Sequence, residues 1–164
     1  MIKYKGMKNF KIDNDNLKFK NFRNKKSKIY KNRVKEISNY IKNKINRTKL
    51  FEKYNNIYLL GNNIMSIVNS ENDALRNIVN QFFKLNKKKC ECCECLKEKG
   101  IERCHASSEK NFGRKDIAIN VLNKMYVNEK KPISKKDFLI NYVEEHSKYP
   151  LWFLCQDCHR IFDK

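Results

Sequence analysis

The sequence predicts an α+β protein: a basic, mainly helical amino-terminal region over residues 1–86, then a zinc-stapled region over residues 87–164. Three observations predict it. Apolar residues recur at steps of three and four from Tyr30 onward, the period of an amphipathic helix. Cysteines gather in two groups, Cys90, Cys92, Cys93 and Cys95, then Cys155 and Cys158. Between the groups lies a short strand-like run, Ile101-Glu-Arg-Cys-His105.

The elements follow in order. Residues 1–28 are basic and Asn-rich, broken by Phe10, Phe19 and Phe22, and read as an irregular arm that orders on nucleic acid. Tyr30, Val34, Ile37, Ile41 and Ile45 fall on one helical stripe, flanked by Lys31, Arg33, Lys35 and Lys42, which face DNA or solvent. Residues 54–69 leave helix and strand both open, with a turn signal at Gly61-Asn-Asn63. Ser70-Glu-Asn-Asp73 has the form of an N-cap with an acid in the first turn. The helix it starts carries Leu75, Ile78, Val79, Phe82 and Phe83 and ends at Lys87-Lys-Lys89. Two more helices lie between the cysteine groups. One carries Ile117, Val121, Leu122 and Met125. The other starts at a cap signal, Ser134-Lys-Lys-Asp137, and carries Phe138, Leu139, Tyr142, Val143 and His146. His146 is expected to pack or face solvent, and Trp152 to bury against the zinc loop.

Charge narrows the partner. The 164 residues carry a formal net charge of +19, and residues 1–50 hold 17 Lys or Arg against three acids. A polyanion is the natural partner, because each cation placed on a phosphate releases a counterion. Double-stranded DNA is the partner expected here. The competing explanation is an AT-rich coding bias toward Lys, Asn and Ile, under which the charge serves solubility alone. The composition excludes collagen-like and plainly disordered classes. No apolar stretch is long enough to span a membrane, and the amino terminus has no signal-peptide core. Seven cysteines in a chain of this kind point to a reducing, cytoplasmic setting, where Cys-x-x-Cys binds metal before it forms a disulfide.

Each Cys-x-x-Cys turn offers two thiolates, and two turns complete a tetrahedral zinc site. Cys155 and Cys158 form one turn. The other has two registers, Cys90/Cys93 and Cys92/Cys95; Cys90/Cys93 is preferred, leaving Cys92 and Cys95 as spare thiols. Such a site contributes folding energy, roughly 10–16 kcal/mol of apparent metal binding in small zinc peptides. It joins segments about 60 residues apart at a closure cost that grows slowly with length. Its role is to hold the chemistry.

The chemistry is expected from His105, His159 and Asp163. On a helix, His159 and Asp163 share a face, so both reach one divalent ion. Phosphodiester hydrolysis needs a base for water and a cation at the phosphate. His105 suits the first task because imidazole titrates near neutrality. Arg103, Arg114 and Lys115 are candidates for phosphate contact.

Over residues 88–164, and most specifically in Pro150-Leu-Trp-Phe-Leu-Cys-Gln-Asp-Cys-His-Arg-Ile-Phe-Asp163, the chain resembles HNH, or ββα-metal, endonucleases with a four-cysteine zinc site, including type II restriction endonucleases. The resemblance implies a ββα-metal nuclease core with His105 as general base and His159 as ligand of a catalytic Mg²⁺ or Mn²⁺. It also implies Asp163 as second ligand and products with 5′-phosphate and 3′-hydroxyl ends. Two positions depart from the family pattern. Cys104 stands where many members carry a metal-binding Asp or His, and Pro150 where they carry Asn. A homodimer is the expected route to cutting both strands. The rival reading is a non-catalytic zinc-ribbon nucleic-acid binder, which needs the cysteines and the charge but not His105 or Asp163.

Overall fold

The computed structural model describes residues 32–60, 63–83, 89–94, 100–105, 113–128, 131–149 and 151–162; of residues 105, 127, 128, 161 and 162 it describes the backbone alone. The arm over residues 1–28, Tyr30, Cys95, Pro150 and Asp163 lie outside the described residues.

The fold is α+β, with six helices and four short strands among the described residues. Helix α1 covers residues 32–47. Its predicted stripe is real: Ile37 and Ile41 are buried and Ile45 packs on the same core. A 3₁₀ turn at Glu52–Tyr54 leads into strand β1, Tyr58–Leu59. Helix α2, Ile64–Ser70, starts at Asn63, whose side-chain oxygen accepts from the Ser66 N–H. Helix α3, Asn72–Phe82, follows after the single residue Glu71. Ser70 is therefore not the N-cap of α3, correcting the expectation. It closes α2, and its hydroxyl donates to the Ile67 carbonyl at 2.8 Å. The open stretch 54–69 thus resolves into turn, strand and helix.

Strand β2, Ile101–His105, is entered through Gly100, whose φ of +96° suits a residue without a Cβ. Helix α4 spans Arg114–Asn128, strand β3 Ile133–Ser134, helix α5 Lys135–Ser147, strand β4 Leu151–Cys155 and helix α6 Gln156–Phe162. Ser134 caps α5 as predicted, its hydroxyl accepting from the Asp137 N–H, with Asp137 favourably placed at the positive helix end. Strands β1 and β3 pair antiparallel, as do β2 and β4.

Two apolar clusters meet along β4. The larger surrounds α5, whose Phe138, Leu139, Tyr142 and Val143 are fully buried. Helices α1, α3 and α4 contribute Ile41, Leu75, Phe82, Ile117 and Leu122, and α2 contributes Ile67 and Val68. His146 belongs to this packing: its ring lies 4.7 Å from that of Phe83 and 5.4 Å from that of Tyr142. One core therefore draws on residues from both sides of position 86. The smaller cluster holds Cys90, Cys104, Trp152, Leu154, Cys155 and Cys158. All five residues of β4 are buried, because one face meets the helical core at Leu151 and the other meets the cysteines at Trp152 and Leu154. No described helix is long and apolar enough to cross a membrane.

Candidate metal centre

The first Cys-x-x-Cys loop is pinned to the edge of β4. The Glu91 N–H donates to the Phe153 carbonyl at 2.9 Å, and Glu91 Oε2 accepts from the Phe153 N–H at 2.8 Å. The loop closes on itself where the Glu94 N–H donates to the Cys90 carbonyl, with Glu94 in the left-handed region at φ +62°. The second loop is the junction of β4 and α6: Cys155 ends the strand and Cys158 sits in the first helical turn. Antiparallel pairing sets Cys155 opposite Ile101, so β2 is fixed beside the same junction.

Four sulfurs converge there. The Sγ atoms of Cys90, Cys93, Cys155 and Cys158 all lie within 4.8 Å of one another. Zinc bound by four thiolates at about 2.3 Å sets neighbouring sulfurs about 3.8 Å apart, and Cys93 and Cys155 are separated by 3.8 Å. Cys90, Cys155 and Cys158 are buried, as a closed structural site requires. The donor set and spacing fit zinc. Cys92 stands outside the four, close enough to hydrogen-bond Cys158.

The thiols are electrostatically unlike. Burial pushes the Cys90 thiol up, but backbone N–H groups of Cys155, Cys93 and Cys92 directed at its sulfur outweigh that and bring its pKa down to about 7. Burial raises Cys155, and the hydrogen bond with Cys92 followed by burial raises Cys158 far above the ordinary thiol range. Sulfurs this crowded cannot all ionise together unaided; a dication among them removes the conflict.

The residues expected to carry chemistry divide into three groups. His159 lies on α6 with Nδ1 2.5 Å from Glu102 Oε2 on β2. His105 ends β2 opposite Leu151, its backbone alone described, and Asp163 lies outside the described residues. The three candidate phosphate contacts are engaged with asparagines. Arg103 donates to Asn80 Oδ1 at 2.6 Å and to the Val79 carbonyl at 3.1 Å; Arg114 donates to Asn72 Oδ1 at 3.0 Å and Lys115 to Asn69 Oδ1 at 3.1 Å.

Sequence reasoning missed two residues. Glu102 meets His159 through the β2–β4 register and the turn into α6, and no spacing in the sequence signals that contact. Arg33, expected on a flank facing DNA or solvent, instead forks onto Glu91 and donates from Nε to the Leu151 carbonyl at 2.8 Å. Cys104, at the departure from the family pattern, is 4% exposed, and its thiol donates to the Trp152 carbonyl at 3.5 Å. Trp152 buries against the cysteines as expected.

Compared with known proteins, the chain matches no family model, no curated protein and no solved structure.

Proposed function

We propose that this chain is a metal-dependent DNA endonuclease of the HNH, or ββα-metal, kind, acting as a type II restriction enzyme does. One arrangement carries the reading. An antiparallel strand pair, β2 and β4, runs into a helix, α6, and a four-thiol cluster sits at the strand–helix junction. That frame brings the strand ending in His105 against the helix bearing His159.

In this reading His105 takes the proton from the attacking water, and His159 with Asp163 holds the working Mg²⁺ or Mn²⁺. When bound, that ion supplies Lewis acidity toward the scissile phosphate. Arg103, Arg114 and Lys115 exchange their asparagine partners for phosphate oxygens, and the surplus of cations in residues 1–50 draws in double-stranded DNA. Hydrolysis leaves 5′-phosphate and 3′-hydroxyl ends, and a homodimer cuts both strands. The four-thiol cluster with the charge also favours a zinc-ribbon nucleic-acid binder without catalysis. Incubating zinc-loaded protein with supercoiled plasmid and Mg²⁺ or Mn²⁺ separates the two. Discrete linear fragments support the nuclease; intact plasmid under conditions of demonstrated binding supports the binder.

A further inference from the structure

We propose that Glu102 supplies a carboxylate ligand to the second, hard-cation site, paired with His159 and compensating for the thiol at position 104. This rests on the nuclease reading for its purpose, although the site itself is measurable without cleavage.

Side chains two apart on a strand share a face, so Glu102 and Cys104 address the same side of β2. Cys104 is withdrawn from solvent among Trp152 and Leu154, and a thiol is a poor donor for Mg²⁺ or Mn²⁺ in any case. Glu102 differs in both respects. Its side chain is 41% exposed and its Oε2 lies 2.5 Å from His159 Nδ1. A carboxylate oxygen beside an imidazole nitrogen is a donor pair suited to manganese, and the open surface leaves room for water or phosphate.

The pair is partly exposed, at 24% for His159 and 41% for Glu102, and well positioned. Glu102 pairs across the sheet with Leu154, next to Cys155, and His159 directly follows Cys158. Both donors thus stand one residue from elements tied to the thiol cluster, so the soft-metal site orients the ligands of the hard-metal one.

Manganese uptake by zinc-loaded, full-length protein tests this, read from loss of the free-ion paramagnetic resonance signal. Wild type is expected to bind Mn²⁺ and Glu102→Gln to bind it at least tenfold more weakly. Glu102→Asp should retain part of the affinity. Zinc content and Trp152 emission should be unchanged in both variants, which shows that the frame is intact. Manganese binding by Glu102→Gln equal to wild type, or none by wild type, overturns the proposal. Plasmid cleavage by the same preparations keeps the two claims apart. Manganese lost on Glu102→Gln with no cleavage by wild type upholds the site and defeats the nuclease reading. Cleavage and manganese uptake that both survive Glu102→Gln do the reverse.

Discussion

Arg33 grips Glu91 with both prongs of its guanidinium, Nη1 to Oε1 at 2.6 Å and Nη2 to Oε2 at 2.8 Å, tying helix α1 to the loop between the Cys90 and Cys93 thiols. The same guanidinium lies 4.5 Å from the centre of the Trp152 ring. Both side chains of the pair are largely buried, at 12% and 18% exposure. Removing one partner strands a charge, and Arg33→Ala is expected to cost about 3 kcal/mol in urea denaturation. Arg33→Lys should recover only part, because an ammonium cannot make the two-pronged contact. The Arg33→Ala/Glu91→Ala double variant should cost clearly less than the sum of the singles.

Trp152 is the sole tryptophan and is 1% exposed within the cysteine cluster. Chelation of zinc should shift its emission to the red while most helical circular dichroism persists, since the larger core around α5 contains no cysteine. Cys93→Ser should lower zinc stoichiometry, whereas Cys104→Ser should leave one zinc per chain by metal analysis. Unchanged Trp152 emission after complete zinc removal contradicts the expected coupling.

Glu94 adopts φ +62°, a conformation that costs an L-residue about 1 kcal/mol. Its ion pair with Lys89 spans 3.6 Å between exposed groups and contributes little. Glu94→Gly is therefore expected to stabilise the zinc-loaded protein by up to about 1 kcal/mol in urea denaturation, despite the extra freedom glycine gives the unfolded chain.

Glu145 is held below the ordinary carboxylate range. Burial pushes its pKa up, but Lys148 at 2.6 Å and Lys124 at 3.0 Å more than offset it. A depressed folded pKa adds stability above the unfolded pKa, and that stability fades as pH falls through the folded value. Glu145→Gln should lower the melting temperature at neutral pH, and the gap from wild type should close on acidification. A constant gap across pH contradicts this.

The local signals in the sequence were the legible ones. The stripe of Ile37 and Ile41, the Ser134 cap and the Cys-x-x-Cys turns each depend on residues a few positions apart, where periodicity and loop geometry suffice. Ser70 misled because α2 and α3 abut with only Glu71 between them, so a cap-like residue ends one helix instead of starting the next. Long-range partners were not legible. Glu102 meets His159 only through the β2–β4 register, and Arg33 meets Glu91 only because α1 folds back on β4; neither relation leaves a spacing in the chain.

The rate at which zinc-loaded His105→Ala cuts supercoiled plasmid in Mn²⁺, relative to wild type, reports whether this imidazole is the general base of a nuclease. A general base contributes roughly 10²–10⁴-fold, so a loss of that size is expected, with zinc content and DNA affinity unchanged. Equal rates for the two proteins, or no cutting by wild type, would contradict it.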